Sequence, residues 1–486
     1  MLPHLPWTSP AAGTDAPCIG DTTRTLSYRT VERRAAAFAE QLRDAGIGAG
    51  DVVGIMLPNR VELLIGMLGA WRAGAAVTPI NPTFTTRELE YQLDDSGAKI
   101  LLASEGPATA GLADAPPMLA PEDMRLLPEE ALESPRIAPG DVALLVYTSG
   151  STGQPKGVML AHSNLAAMAT AMSQHFSLTP DDHALLVLPL FHVNSICVTF
   201  LAPMVAGARV TVLERFAPDA FLDTIDRIRP TYFSGVPAIF ARLAELPESH
   251  HSTASLRFAI CGAAPATKEL LRRCEERFGI VIAEGYGLTE GTCASCCNPI
   301  DGVRKPGTVG PALAGQRIGI AGPDGKLLPA GERGEVLIQG PTVMLGYLGR
   351  TEATADTIRD GWLHTGDVGV LDDDGYLTLV DRIKDMIIRG GENLYPKEIE
   401  AFLATHPDVL ESAVVGRPHE ALGEVPVAYV TLMPGASATP EELIEHCRSG
   451  LAKIKIPVQI EIVDELPRNP VGKIDKPSLR RQLAAA

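Results

Sequence analysis

The stretch YTSGSTGQPKG, residues 147–157, places the hydroxyls of Thr148, Ser149, Ser151 and Thr152 among Gly150, Gly153 and the ammonium of Lys156. It directly follows the apolar run VALLV. Backbone N–H groups in a glycine-rich turn converge on phosphate oxygens, and hydroxyls with a lysine add further donors. The chemistry on offer is therefore phosphate binding. A P-loop NTPase needs G-x-x-x-x-G-K-[ST]. Here Pro155 precedes Lys156 and Gly157 follows it, so that pattern fails. Taken alone, the stretch also reads as a surface turn, because Gly, Ser and Thr are turn formers.

Other stretches carry reactive side chains at intervals down the chain: PLFHVN (189–194), CGAAP (261–265), EGYGLTE (284–290), GWLHTGD (361–367), DRIKDMIIRGGENLYPKEIE (381–400) and NPVGKIDK (469–476). Each has a plain structural alternative. Glu290 reads as an exposed loop carboxylate, Tyr286 as a core tyrosine, Asp367 as a turn residue and Lys473 as a solvated lysine in a polar tail. CASC (293–296) is a single C-x-x-C without a second pair at metal-site spacing, which is weak for zinc. Cys293, Cys296 and Cys297 read as small pocket or core residues.

Six of these stretches together, in this order, resemble the adenylate-forming superfamily: acyl-CoA synthetases, peptide-synthetase adenylation domains and beetle luciferases. The resemblance covers most of the chain. It implies two half-reactions. A carboxylate attacks the α-phosphate of ATP to give acyl-adenylate and pyrophosphate, and a thiol, that of coenzyme A, then displaces AMP.

By the same resemblance, residues 148–153 and Lys156 bind the leaving phosphates. Glu290 holds Mg²⁺, and Thr289 lies beside the α-phosphate. Tyr286 stacks on adenine, with Gly262, Ala263 and Ala264 as backbone near the base and Glu284, Gly285 and Gly287 in the same nucleotide loop. Asp367 accepts from the ribose hydroxyls and Arg382 helps fix the sugar. Lys473 bridges the carboxylate and the α-phosphate. Lys384 matches the hinge, beyond which a small domain rotates to present Gly390, Gly391 and Glu392 to the thiol.

The acyl pocket is expected from FHVNSICV (191–198), YFSGVPAIF (232–240), AICGAA (259–264) and GTCASCC (291–297), with Phe191, His192, Val193, Phe233, Gly235, Val236, Gly287 and Cys293 against the acid. His192 reads either as a packed polar residue or as a gate beside the reacting carboxylate. The four segments contain no Arg or Lys. A second carboxylate there would be buried without a cation, at a cost of several kcal/mol. A neutral, mostly apolar monocarboxylic acid is favoured, fatty or aryl, over dicarboxylic and amino acids. The alternatives are an aryl-acid CoA ligase and an acyl-AMP ligase that loads a carrier protein.

The elements that must position these residues follow from periodicity. Val31, Ala35, Phe38 and Leu42 share a helical face, and Thr85 with Glu88 makes a capping-box pattern. The runs VALLVY, ALLVLPL, ARVTVLE and RFAICG alternate with helical patterns at 219–229 and 267–278. That order implies a doubly wound α/β body. A β-rich subdomain is expected over about 300–382, completing a large N-terminal domain, 1–382. A small mobile α+β domain follows over 383–486, with helices at 396–405 and 441–452 and strands at 412–416, 425–432 and 459–463.

With 486 residues, the chain has material for about three domain-sized units. Lys+Arg minus Asp+Glu is 42 − 59 = −17, which argues against nonspecific binding to nucleic acid or to a membrane surface. The N-terminus shows no secretory leader pattern and no apolar run reaches a spanning length. Eight sparse cysteines suit reduced thiols, so a cytoplasmic protein is expected. If Lys473 has the role the resemblance gives it, Lys473→Ala lowers adenylation on the order of 10²–10³-fold, since a fixed cation stabilises charge where two anions meet. Thioester formation from pre-made acyl-adenylate should stay near normal; equal loss of both half-reactions contradicts the role.

Overall fold

The computed structural model describes residues 2–127, 137–149, 154–247, 250–264, 266–390, 392–468 and 474–485. They form a mixed α/β protein of several sheets, divided into two compact units. The first comprises Met1–Ile318, Leu337–His364 and Asp374–Leu377; the second comprises Gly319–Val336, Thr365–Asp373 and Thr378–Ala486.

Two sheets make the first unit. In one, the parallel strands Arg209–Val212, His183–Leu186, Tyr232–Gly235, Phe258–Cys261 and Val281–Tyr286 lie in that spatial order. His183–Leu186, Tyr232–Gly235 and Phe258–Cys261 are buried throughout, as apolar runs covered on both faces are. The second sheet has a parallel core of Val52–Met56, Ala76–Pro79, Ala98–Ala103 and Val142–Ser149. Its far edge is an antiparallel hairpin, Val142–Ser149 with Pro155–Ala161, extended by the short strand Gly346–Tyr347.

Helix starts follow the sequence closely. Thr85 accepts from the Glu88 amide and the Glu88 carboxylate reaches back to the Thr85 amide, as the capping-box pattern required. Thr267 caps Lys268–Phe278 in the same way through its hydroxyl. One strand is shorter than its apolar run suggests. ALLVLPL leaves the sheet after Leu186, and the Asn59 side chain takes over its backbone bonds, donating to Leu188 O at 2.9 Å and accepting from Leu190 N at 2.9 Å. Pro189, which has no N–H, suits that departure.

Residues before Thr25, which carry no readable motif, prove structural. Leu2, His4 and Leu5 are buried, and Pro17–Gly20 joins the first sheet parallel to Arg209–Val212. The His4 ring lies 5.8 Å from that of His162, and both stand edge-on to Trp71. Burial holds both imidazoles below their ordinary range, His162 at about 4, so the pair is neutral at neutral pH.

The second unit carries a largely antiparallel sheet ordered Glu392–Leu394, Ile387–Arg389, Gly423–Leu432 and Val409–His419, with Gln459–Ile462 parallel to Gly423–Leu432. Helices Pro396–Leu403 and Pro440–Gly450 bury Ile399, Leu403, Leu443 and Cys447 in its core. The strand read at 412–416 is much longer in the structure, because its ladder with Gly423–Leu432 runs from Val409 to His419.

Candidate active site

The glycine-rich stretch closes the hairpin at the edge of the second sheet. Thr148 pairs with Lys156 and Ser149 with Pro155 across the two strands. Gly150, Ser151, Thr152 and Gly153 lie outside the described residues. So do Gly391 and Lys473.

Tyr347 lies beside that hairpin. The neighbouring strand brings it opposite Val158, locked by Leu348 N donating to Gly157 O at 2.8 Å and Leu345 N to Met159 O at 3.0 Å. Lys156 Nζ sits 5.0 Å from the centre of the Tyr347 ring, within cation–π range. The hydroxyl of the same tyrosine donates to Glu290 Oε1 at 2.9 Å. Burial and the adjacent Glu290 carboxylate push the phenol well above its ordinary range, so it remains a donor. Two residues some 130 positions apart in sequence thus meet on one side chain. Nothing in the run MLGYLGR marked that tyrosine as chemical.

Glu290 is carried by the 3-10 turn Thr289–Gly291, half-buried like Thr289. Its carbonyl accepts from Met344 N at 2.8 Å, a second tie to the Tyr347 segment. A single carboxylate among phosphate donors is what Mg²⁺ asks of a protein, since it keeps waters and substrate oxygens as its other ligands. Among the described residues no group of three His, Cys, Asp or Glu forms a metal cage.

The remaining residues of the first unit gather at the carboxyl ends of its parallel strands, where open α/β sheets bind ligands. Gly235, Cys261 and Glu284 are aligned in register, so Val236, Gly262 and Gly285 follow side by side. Tyr286 is buried at the strand's end. Gly287 must be glycine: a Cβ there would lie 1.8 Å from Cys293 O, where the chain folds back. Ala263 has φ +66°, a left-handed conformation that costs an L-residue about 1–2 kcal/mol. Ala263 and Ala264 are exposed, while Gly262 is buried.

Phe191 and His192 sit half-buried in the turn after Pro189, their rings 4.4 Å apart. The helix that follows contains a π-helical stretch, Ser195–Leu201, a form that clusters at functional sites. Ser195 Oγ donates to Pro189 O at 2.7 Å, and Asn194 Oδ1 and Ser234 Oγ are 2.8 Å apart, which pins the His192 turn over the end of the strand Tyr232–Gly235. Neither Asn194 nor Ser234 stood out in the sequence. Val193 and Cys293 are buried. Phe233 packs its ring 5.2 Å from Phe221 and 5.7 Å from Phe240, inside an aromatic core cluster.

In the second unit, Arg382 Nε donates to Asp367 Oδ1 at 2.8 Å. The turn before Asp367 is fixed by Gly366 N donating to Glu335 Oε1 at 3.0 Å. Lys384 lies in the 3-10 turn Ile383–Asp385, Gly390 has φ +61°, and Glu392 is exposed at the start of its strand.

Burial pushes the Glu284 carboxyl up to about 7, against the opposing pull of Lys268 and the Gly307 amide. A folded carboxyl that holds its proton above the unfolded value of 4.5 stabilises the fold below that pH. The contribution disappears as pH rises through 7. Measured against Glu284→Gln, the unmodified protein should therefore lose about 2 kcal/mol of unfolding free energy between pH 4.5 and pH 7.5. Parallel pH curves for the two proteins in chemical denaturation count against this assignment.

Residues 7–348 match the family model described as AMP-binding enzyme, and residues 398–473 match the AMP-binding enzyme C-terminal domain. A feruloyl-CoA synthase from an Amycolatopsis species is 38% identical over 461 residues, 94% of each chain. A sulfoacetate–CoA ligase from Cupriavidus necator is 37% identical over 472 residues, 94% of this chain and 92% of its own. Among solved structures, ATP-bound MatB from Rhodopseudomonas palustris superposes with a TM-score of 0.89 at 34% identity over 96% of both chains. O-succinylbenzoate coenzyme A synthetase (MenE) from Bacillus subtilis, in complex with ATP and a magnesium ion, gives 0.87 at 32% identity over 97% of both. With these matches spanning nearly its whole length, the chain belongs to the AMP-binding enzyme family, in the acyl-CoA synthetase branch of the adenylate-forming superfamily.

Proposed function

We propose that the protein activates a neutral, mostly apolar monocarboxylic acid and transfers it to coenzyme A. In the first half-reaction a carboxylate oxygen bonds to the α-phosphorus of ATP, and the bond to the β-phosphate oxygen breaks to release pyrophosphate. In the second, the thiolate bonds to the acyl carbon, and AMP leaves with the electron pair of the broken C–O bond. The observation that carries this reading is the meeting of Lys156 and Glu290 on Tyr347, a phosphate cation and a metal carboxylate at the base of one glycine-rich hairpin.

In this reading Thr148, Ser149 and Lys156 hold the leaving phosphates, joined by residues 150–153. Glu290 would hold Mg²⁺, which would supply charge neutralisation at those phosphates. Thr289 borders the α-phosphate. Tyr286 covers the adenine, with the backbone of 262–264 and 284–287 around it. The Asp367–Arg382 pair is a ready acceptor and cation for the ribose, and Lys473 serves the adenylation step. Lys384 is the hinge of the C-terminal domain, 383–486, which turns to bring Gly390, Gly391 and Glu392 to the thiol.

The acyl end is argued from side-chain chemistry. The segments at the strand ends offer Phe191, His192, Val193, Asn194, Ser234 and Cys293, and they contain no Lys or Arg. An aryl acid is the second reading, supported by the feruloyl-CoA synthase relative. Pyrophosphate release should be measured across short-chain, fatty, cinnamic-type aryl and dicarboxylic acids, each with and without CoA. The reading expects release with uncharged-tail acids and CoA-dependent formation of AMP without any partner protein. Preference for a dicarboxylic acid, or ADP as product, defeats it. AMP release that requires a carrier protein points instead to a carrier-loading ligase.

Tyr347→Phe removes the hydroxyl from Glu290 and keeps the ring beneath Lys156. Losing a hydrogen bond to a charged group should cut adenylation about tenfold. The concentration of Mg²⁺ needed for half-maximal rate should rise with it. An unchanged metal requirement would separate Tyr347 from the metal carboxylate.

A further inference from the structure

A cavity of about 410 Å³ opens beside the phosphate hairpin, lined by Tyr91, Gln154, Pro155, Lys156, Arg350 and Thr351 among others. Its size suits a small ligand. Two cations face it. Lys156 belongs both to this cavity and to the Tyr347–Glu290 pair, so it is common to the phosphate site and to the space next to it. Arg350 comes from the turn after Tyr347.

Arg350 is aimed by a built network. Its Nη2 donates to Asp95 Oδ1 at 2.7 Å, and Tyr147 Oη donates to Asp95 Oδ2 at 2.8 Å. Asp95 is largely buried and Tyr147 is the first residue of the glycine-rich stretch. Tyr91 Oη donates to Pro155 O at 2.6 Å, its ring edge-on to that of Tyr147. Helix Thr86–Ser96 therefore ties both strands of the phosphate hairpin and the Arg350 guanidinium into one rigid frame. A guanidinium has five N–H donors in a fixed fork, and the Asp95 contact uses one. Such a fork matches phosphate oxygens.

We propose that this cavity receives the inorganic pyrophosphate released on adenylation and holds it between Lys156 and Arg350 as it departs; the inference rests on the adenylation reading above. Lys156 hands the anion from the nucleotide site to the cavity without letting it become unpaired. Glu352 shares the rim and Asp95 pairs with Arg350, so the two cations are offset by two carboxylates and the hold on an anion is weak. Retention is brief, which suits a product on its way out.

The test uses the full-length enzyme with an acid that supports ATP–pyrophosphate exchange. Arg350→Gln should raise KM for pyrophosphate about tenfold, the loss expected for a charge-assisted contact, with a much smaller change in KM for ATP. Inhibition of the forward reaction by added pyrophosphate should weaken to match. Arg350→Lys keeps the charge but not the fork, so it should recover part of the loss; it also carries the test if R350Q does not fold. A proportional rise in both constants makes Arg350 a brace for the hairpin and overturns the proposal. So does a KM for pyrophosphate that does not move. Failure of the unmodified enzyme to exchange pyrophosphate with any acid is a different result: it removes the adenylation reading and this inference with it.

Discussion

In the proposed reading, a phosphate site in an acidic protein depends on keeping its few cations and the carboxylate that would hold a metal from cancelling one another. Here that is done by one tyrosine. Lys156 contacts the face of Tyr347 and Glu290 contacts its hydroxyl, so the two charges share a partner while using different parts of it. A cation over an aromatic ring gains only about 0.5–2 kcal/mol. The lysine is thus oriented by the ring, as its proposed role toward phosphate requires. The phenol stays protonated because both burial and the carboxylate disfavour its anion. Everything that holds Tyr347, from its pairing with Val158 to the tie between Met344 and Glu290, serves that arrangement.

The strand ends of the first sheet impose a different constraint, of space rather than charge. Two neighbouring parallel strands end level at Gly235 and Cys261, and the third runs on from Glu284 to Tyr286 before its turn. The turn at Gly287 has no room for a Cβ, and the turn at Ala263 places an alanine where glycine is the easier residue. Strain of this kind persists where the surroundings over-determine the backbone, and it clusters at ligand sites. The buried carboxyl of Glu284 adds a second unfavourable term in the same place. Local penalties gathered in one loop system are what the proposed nucleotide site would call for.

What the sequence conveyed was chemistry and order. The glycine-rich stretch, Glu290, Asp367 and Arg382 stood out because six such stretches appear in the order of one family; the hairpin, the 3-10 turn and the Asp367–Arg382 ion pair are what the structure adds. The helix cap at Thr85 was legible for a local reason: a hydroxyl with a glutamate three residues on marks a helix start. Three things were not. Tyr347 sits in an apolar run and becomes chemical only through an antiparallel pairing to a strand almost two hundred residues earlier. Asn59, Asn194 and Ser234 are ordinary polar residues whose bonds to distant backbone or side chains define the His192 turn. Phe233 was read toward the acid, but strand alternation puts its ring among Phe221 and Phe240, and it is Ser234 that bonds to the His192 turn.

That alternation bears on how the acid is chosen. A feruloyl-CoA synthase and a sulfoacetate–CoA ligase match this chain almost equally, at 38% and 37% identity over nearly the whole length. The acids in their names differ in size, in aromaticity and in the presence of a second anion. Overall similarity therefore carries no information about the tail of the acid. In the proposed reading the choice rests with the few side chains at the strand ends and in the turn at His192. A second anion would need a cation there, and burying it without one costs several kcal/mol. An extra methylene contributes only about 0.8 kcal/mol. On that reading, charge at the acyl end is a sharp discriminator and chain length a soft one.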